Sequence, residues 1–470
     1  MKTNIYIILL IVSLNYRVSA QKIAAGGRHS LSICSDSTVQ AWGYNGFGQL
    51  GNGSIVEQTS GTKVVGQSSI VKVAAGLFHS LFLKSDGTVW ACGRNVSGAL
   101  GDGSNSDKHI PVKVLGISGI KQIAGGGEHS LFLQNDGYVY SVGKNSSRQL
   151  GDGTNLDKSF PTIIPSLSNI VQVAAGADFS LFLSRDGSVW ACGDNGFGQY
   201  GNGNNISSYL PIKIEGLSNI IQISAGEWHS LFLGIDGTVY SAGRNNFGQL
   251  GIGLLIDSNL ALPINGVSGI IHIDAGGIHS VFVRKDGTAY ACGLNSGGNN
   301  DGQLGDGTSN DRSSPIQVKK SWGNQKIIHA EATREHSLFL TDQGEIWACG
   351  RNNYGQLGYG TISITNSYSP VHSSKVCMSL ILTSNIETEV IQSVYPNPFS
   401  LTSTLHFSRN MNEATLIIYD SYGRQFVKLE KLNGNSVTIF RDNLPSGMYS
   451  IVLLEKGKLI DVTKVVIFDE

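Results

Sequence analysis

Six histidines share one position of a repeated stretch: His29, His79, His129, His229, His279 and His336, each followed by serine. The copies are 50 residues apart as far as His279 and 57 apart at the last step, and Phe179 holds the position in the fourth. A register of histidines raises metal or acid–base chemistry, since imidazole is both a ligand and a base near neutral pH. Equivalent side chains of a repeat, however, are spread too widely to share one ion, and phenylalanine ligates nothing. The pattern therefore assigns these histidines to packing and hydrogen bonding at the start of a strand.

Three short acidic loops, Asp102-Gly103-Ser104, Asp152-Gly153-Thr154 and Asp306-Gly307-Thr308, raise calcium binding. That ion takes about six to eight oxygens, and Asn52, Asn202, Ile252 and Tyr359 replace the aspartate in other copies. Turn formation explains the position better. No Ser-His-Asp set, paired carboxylates or nucleophile elbow rises above the repeat. The glycine-rich stretches lie between strands with no helix after them, which excludes a phosphate loop. The expectation is no enzyme, no metal and no cofactor.

The elements behind these residues are strands. One unit reads as four: Ile70 to Ala75, His79 to Leu83, Thr88 to Cys92 and Pro111 to Val114. Asp-Gly between the second and third (Asp86-Gly87, Asp136-Gly137, Asp186-Gly187, Asp236-Gly237, Asp286-Gly287) predicts a hairpin with a primed turn. The middle strands are apolar on both faces, as Leu81-Phe82-Leu83 shows, so sheets must cover them on both sides. A ring of sheets does so, and seven copies of about 50 residues predict an all-β fold, a seven-bladed β-propeller. Closure is expected to bring the segment near Lys22 to Ala25 against residues near Pro370 to Leu382.

Composition agrees. Glycine is abundant at 60 of 470 residues, and charged residues are only 15%. A net charge of −1 gives no global attraction to nucleic acid or anionic membrane. Residues 1–20 read as a signal peptide: Lys2, an apolar run from Ile5 to Leu14, then Val18-Ser19-Ala20 as the cleavage site. The run is too short to span a bilayer, so a soluble, exported mature chain is expected. Cys92, Cys192, Cys292 and Cys349 share a repeat position and read as small buried hydrophobes. Cys34 and Cys377, near the ends of the array, are expected to be free thiols, with a disulfide between them as the alternative.

Several spaced motifs together resemble the regulator-of-chromosome-condensation repeat: Ala74-Ala75-Gly76 followed by His79-Ser80-Leu81, then Asp86-Gly87 leading into Val89-Trp90-Ala91-Cys92-Gly93. Gly-Gln-Leu-Gly completes the pattern at Gly48 to Gly51, Gly248 to Gly251, Gly302 to Gly305 and Gly355 to Gly358. The resemblance covers roughly residues 21 to 380 and implies the seven-bladed propeller and a protein-binding platform. Nucleotide exchange on a nuclear GTPase does not carry over to an exported chain.

One face of such a propeller gathers the loops that vary between copies. They contribute Arg28, Tyr44, Phe47, Phe78, Arg94, Glu128, Asp178, Phe197, Glu227, Trp228, Arg244, Phe247, Arg334, Arg351 and Tyr354 as candidate binding residues. Aromatic residues and arginine are the usual anchors of interfaces. The expected function is non-catalytic binding of an extracellular protein or glycan through this rim. The alternatives are inhibition of an extracellular enzyme such as a β-lactamase, or a propeller enzyme acting on extracellular polysaccharide.

Past about Asn385 the period stops. Residues 386–470 predict a small C-terminal β-sandwich, with strands at Thr402 to Phe407, Ala414 to Tyr419, Ser436 to Phe440, Gly447 to Leu454 and Asp461 to Ile467. Pro396-Asn397-Pro398, Leu444-Pro445-Ser446-Gly447-Met448-Tyr449 and the terminal Lys464-Val465-Val466-Ile467 resemble the type A C-terminal sorting domain of bacterial type IX secretion substrates. That resemblance implies the outer-membrane secretion machinery as a partner, Pro396, Asn397, Pro398, Gly447, Tyr449 and Lys464 as signal positions, and secretion or display of the propeller (residues 21–385) on a bacterial cell surface.

Overall fold

The computed structural model describes residues 22–296, 302–362, 367–373, 391–395, 401–420, 425–441, 444–455 and 458–467. Its contacts divide the chain into two units between Ser379 and Leu380. In the first, seven antiparallel sheets of four strands each take their strands in sequence order. These blades span residues 23–63, 70–113, 120–163, 170–213, 220–263, 270–317 and 327–372, numbered here 1 to 7. Blade 2 is typical, with strands Ile70–Ala75, His79–Lys84, Val89–Gly93 and Lys108–Lys113.

Sequence dictates which strand goes where. The second strand is buried along almost its whole length, because its two apolar faces meet the blades on either side. Leu81, Leu83 and Ala91 of blade 2 thus share one core with Ile123, Phe132 and Val142 of blade 3. The fourth strand is half exposed and forms the outer edge. Pro111, Pro161, Pro211, Pro263, Pro315 and Pro370 lie in these outer strands of blades 2 to 7. Each removes an N–H that an incoming strand would need, which blunts the edge.

A hydrogen-bond relay stitches blade to blade, and it is where the repeated histidines go. His29 Nε2 lies 2.9 Å from Ser80 Oγ of the next blade, and Ser80 Oγ donates back to the Gln49 carbonyl at 2.7 Å. The same contact recurs from His79 to Ser130, His129 to Ser180, His229 to Ser280 and His279 to Ser337. His336 then reaches Ser30 at 2.8 Å and closes the ring. Because each serine spends its proton on a carbonyl, the imidazole is the donor in this contact, with its proton on Nε2. Phe179 interrupts the relay, and Ser230 beyond it keeps its bond to the Gln199 carbonyl at 2.6 Å.

The glycine ahead of each histidine is set by this contact. A Cβ on Gly76 would lie 2.2 Å from the His79 ring and 2.4 Å from the Gly126 carbonyl. Blade 7 has Thr333 instead, whose hydroxyl lies 2.9 Å from His336 Nδ1 and works the difference into the network.

One expectation is met as far as the described residues reach, and three are corrected. Among the described strands, the first, Ile23–Ala25, pairs only with its neighbour His29–Ile33. It packs in one apolar cluster with Leu338, Leu340 and Ile346 of blade 7 and with Val371 of that blade's outer strand, the contact expected near Pro370, and the ring closes without strand exchange among the described strands; residues 374–382 lie outside the described residues. The Asp-Gly hairpins are not primed turns. Only Gly87 has positive φ, at 79°, and Asp86 accepts from the Thr88 N–H and hydroxyl, which favours an ordinary turn followed by one left-handed residue. In blade 1 Ser37, at φ 60°, takes the left-handed place. Cys34 is disulfide-bonded rather than a free thiol; Cys377 lies outside the described residues. Cys92, Cys192, Cys292 and Cys349 are free and buried, and burial pushes their thiol pKa values up.

The third correction concerns the second unit. Its strands are Ile391–Tyr395, Thr402–Asp420, Gln425–Phe440, Gly447–Glu455 and Lys458–Ile467, all antiparallel. Two of the expected strands are one strand of 19 residues, Thr402–Asp420. Its first half pairs with Ile391–Tyr395 and its second half with Gly447–Glu455. Register shifts near Met411 and Ala414 let the ladder bend without breaking. One core, including Ile391, Leu405, Leu416, Ile451 and Val465, fills the inside.

The relay makes the propeller sensitive to acid. Burial lowers His29, His79, His129, His229, His279 and His336 to about 3. The folded chain keeps them neutral while the unfolded chain protonates them near pH 6.5, so stability is full above that pH and is lost as pH falls toward 3. Each histidine contributes a slope of about 1.4 kcal/mol per pH unit in that window. Phe179 supplies the natural replacement. Denaturant melts of His79→Phe between about pH 7 and pH 5 should show a pH dependence shallower by that one proton; an unchanged slope would remove the relay as its source.

Candidate functional site

The variable loops do share one face, and the structure shows what joins them. The loop after the third strand of one blade meets the loop after the first strand of the next. Phe47 of blade 1 packs edge-on against Phe78 of blade 2, centroids 5.3 Å apart. Arg94 of blade 2 bridges to Glu128 of blade 3 at 2.8 Å, and Lys144 of blade 3 to Asp178 of blade 4 at 3.0 Å. Phe197 of blade 4 meets Trp228 of blade 5 at 6.5 Å.

These pairs link into arcs. Arg94 lies over both Phe47 and Phe78, 5.2 and 5.7 Å from their centroids. Tyr44 stands 5.0 Å from Tyr354 of blade 7, over whose ring Arg28 sits at 5.4 Å. Glu335 anchors this end, paired with Arg28 at 3.1 Å and Arg351 at 3.0 Å. One arc therefore runs from blade 7 through blades 1 and 2 to Glu128 of blade 3. Another joins Phe197, Trp228 and Arg244, the guanidinium lying 5.1 and 4.9 Å from the two rings. Phe247 is half-buried, and its N–H donates to Gln249 Oε1 at 3.1 Å. Cation–π and edge-on aromatic contacts of this kind hold side chains rigid while leaving a face outward.

Arg334 and Glu227 are the exception to nearest-neighbour pairing. They join blades 7 and 5 at 3.3 Å, reaching across blade 6, where a Cβ on Gly277 would touch both. Glu227 is buried, and desolvation raises its pKa although Arg334 opposes the shift. Both line a small cavity of about 90 Å³ at the axis, walled by the relay glycines. The candidate residues thus form an ordered, mostly half-buried surface rather than a set of free side chains.

Other motifs are occupied structurally. Asp102 accepts from Ser104 and from Asn95 Nδ2, and Lys108 stands 3.3 Å away. Asp152 and Asp306 repeat this with Lys158 at 3.5 Å and Arg312 at 2.7 Å. In the second unit, Tyr449 is buried and donates to the Pro445 carbonyl at 2.7 Å. Gly447 opposes Ile467 and Lys464 opposes Ser450 in the ladder. Pro396, Asn397 and Pro398 lie outside the described residues. Sequence reasoning passed over one feature altogether, the wall of the axial channel, where Asp274, Glu331, His272 and His329 converge.

Glu335 generates a stability test. It is 3% exposed and shared by two arginines, so Glu335→Gln should cost about 1–3 kcal/mol. Asp286→Asn, which loses an exposed pair with Arg284 on the opposite face, should leave the melt unchanged. Equal melts for the two variants would contradict a structural role for the Glu335 cluster.

Comparison with known proteins agrees with this geometry. An RCC1-like domain matches residues 120–394, and RCC1 repeats match residues 36–83 and 86–133. A secretion system C-terminal sorting domain matches residues 393–468. Among curated relatives, the X-linked retinitis pigmentosa GTPase regulator of Canis lupus familiaris is 44% identical over 64 residues, 14% of this chain and 6% of that protein. Alsin of Rattus norvegicus is 40% identical over 65 residues, 14% of this chain and 4% of its own length. The chain therefore spans only a small part of these relatives. Among solved structures, Prp20p of Saccharomyces cerevisiae is similar with TM-score 0.59 and 27% identity, covering 67% of this chain and 81% of that one. Human WBSCR16 has TM-score 0.61 at 24% identity, over 68% and 86% of the two chains, and shares the fold. With the family model spanning more than half its length, the chain belongs to the RCC1-like domain family and carries a secretion sorting domain behind its propeller.

Proposed function

We propose that this chain is an exported, non-catalytic binding protein whose propeller rim engages an extracellular protein. The observation that carries the reading is the arc from Tyr354 through Tyr44, Phe47 and Phe78 to Arg94. Anchors of an interface gain most when they are aromatic, held rigid before binding and rimmed by polar groups. Here the aromatic rings are held by each other and by arginines, with Glu335 and Glu128 at the two ends. Prp20p, similar over 67% of this chain, is a protein with binding properties to Gsp1p and histones, so a protein partner has a precedent on the same architecture. The secretion sorting domain supports export through its own machinery, and the partner we propose is accordingly extracellular.

Two experiments test the reading. Cross-linking of the cell-surface proteome to the full chain, compared with a Phe47→Ala, Phe78→Ala, Trp228→Ala variant, should lose the captured partner. Removal of buried aromatic anchors costs about 2 kcal/mol or more each, so an affinity loss beyond about thirtyfold is expected. Unchanged capture by a variant with a normal melt rules out the rim. For export, deletion of residues 390–470 should leave the propeller in the periplasm of its host, and its appearance at the surface would dismiss the sorting role.

A further inference from the structure

The channel along the propeller axis holds about 650 Å³ and is walled by the first strands of the blades. Its mouth lies among Ile221, Ile271, Lys285 and Ile328, on the face of the Asp-Gly turns. Toward the rim it narrows to the small cavity lined by the relay glycines and crossed by Arg334 and Glu227.

The wall is lopsided. Strand side chains alternate, so one position of each first strand faces the channel at the same level. Blades 1 to 4 place Ala24, Ala74, Ala124 and Ala174 there, whereas blades 5 to 7 place Ser224, Asp274 and Glu331. The position two residues earlier carries lysine in blades 1 and 2 (Lys22, Lys72) and, in blades 3 to 5, glutamines that bind the next strand's backbone, as Gln222 does with Ile273. In blades 6 and 7 that position carries His272 and His329, rings 4.1 Å apart.

Structure accounts for only part of this cluster. Asp274 accepts from Ser224 at 2.8 Å and from the Ala332 N–H at 2.7 Å, which helps to join blades 5, 6 and 7. His272 is satisfied on both sides, by Gln222 and by the Ala330 carbonyl. Glu331 has His329 Nε2 at 2.7 Å as its side-chain partner. Among the described residues no lysine or arginine pairs with Asp274 or Glu331, although both retain some surface toward the channel. His329 is 5% exposed and lines the channel, and its Nδ1 has no hydrogen-bond partner. Two carboxyls with no lysine or arginine beside them and an unpartnered ring nitrogen, facing a hydrocarbon wall across a sizeable cavity, form a receptor suited to a cation. No group of three described His, Cys, Asp or Glu side chains is placed to hold a metal ion, so the missing charge belongs to a larger body.

We propose that the axial channel binds a small organic ammonium compound, which enters from the turn face, sets its amine against Asp274 and Glu331, and lays its hydrocarbon along the alanine wall. The other ionisable groups facing the channel are His272 and His329, kept neutral by burial, and the ammonium groups of Lys72 and Lys285. Lys72, on the blade 2 side, offers a partner for a carboxylate at the far end of the same ligand, so the amine belongs either to a simple alkyl amine or to a zwitterion. Burial raises Glu331 to about 8 and, with Glu331 beside it, holds Asp274 well above the usual carboxylate range. Glu331 therefore keeps its proton at neutral pH in the empty channel, and an entering ammonium displaces it.

The test is calorimetry on the purified full chain with cadaverine, aminocaproate and neutral pentanediol, in buffers of different ionisation enthalpy. Cadaverine or aminocaproate should bind at least about tenfold more tightly than pentanediol, with net proton release and affinity rising toward pH 8. Asp274→Asn with Glu331→Gln should erase that preference. Lys72→Met should weaken aminocaproate alone if the ligand is a zwitterion, and leave both amines unchanged if it is a simple amine. Should the double variant fold poorly, the wild-type chain decides: amine binding without proton release overturns the proposal. So does equal binding of the diol, or the absence of binding by either amine at millimolar concentration.

Discussion

The propeller rests on one contact, made at six of its seven blade junctions, an imidazole donating to a serine of the next blade. It is short, buried and directional, and it fixes more of the repeat than the histidine itself. The serine must pass its proton on, which it does to the backbone carbonyl after the third strand, as Ser80 does to Gln49. Because that acceptor is backbone, Ala99 replaces glutamine without loss: Ser130 donates to its carbonyl at 2.8 Å. Tyr200 replaces the leucine that follows, fully buried and satisfied by donating to the Gly193 carbonyl at 2.7 Å. The glycine before the histidine gives way nowhere except in blade 7, where the threonine's hydroxyl joins the network. Substitutions inside the repeat are tolerated where they keep the relay's atoms in place.

The same contact sets which positions are free. Everything on the strand starts is committed to holding neighbours, whereas the loops just beyond them are held in position but not in identity. The loops of adjoining blades meet in pairs, so their residues match by chemistry: aromatic with aromatic at Phe47 and Phe78, cation with acid at Arg94 and Glu128. Variation around the rim is therefore variation of pairs. That gives the face patches of different character, an aromatic–cationic arc over blades 7 to 2 and a second around Trp228.

Much of this was legible in the sequence, because the information lay within one repeat. The four strands, the hairpins, the double-faced burial and the structural role of the histidines all follow from residues fewer than fifty apart. The cysteines at the shared position were legible for the same reason. What was hidden depends on neighbours in space that the chain separates. Phe47 and Phe78 belong to different copies, and only the offset between blades brings their loops together. The disulfide at Cys34 joins no repeat pattern, so nothing periodic announced it. The turn type was misread because Asp-Gly serves two geometries, and the aspartate's bonds to Thr88 decide between them. In the second unit, Thr402–Asp420 read as two strands because bulges at its centre break the alternation that marks a strand.

The channel cluster shows most clearly where reading by repeats fails. Ser224, Asp274 and Glu331 occupy the place of alanine in the four preceding blades, and each alone is an unremarkable polar residue in a strand. Only the stacking of blades 5, 6 and 7 sets the three side by side, although the chain separates them by 50 residues or more. The relay also decides which way the channel opens. At the glycine level the blades approach so closely that a Cβ on Gly126 would lie 2.5 Å from the Gly176 carbonyl. The channel is pinched there, on the rim side, and widens toward the turns. The proposed partner on the rim and the proposed ligand in the channel would thus use opposite mouths of one scaffold, kept apart by the contact that builds the propeller.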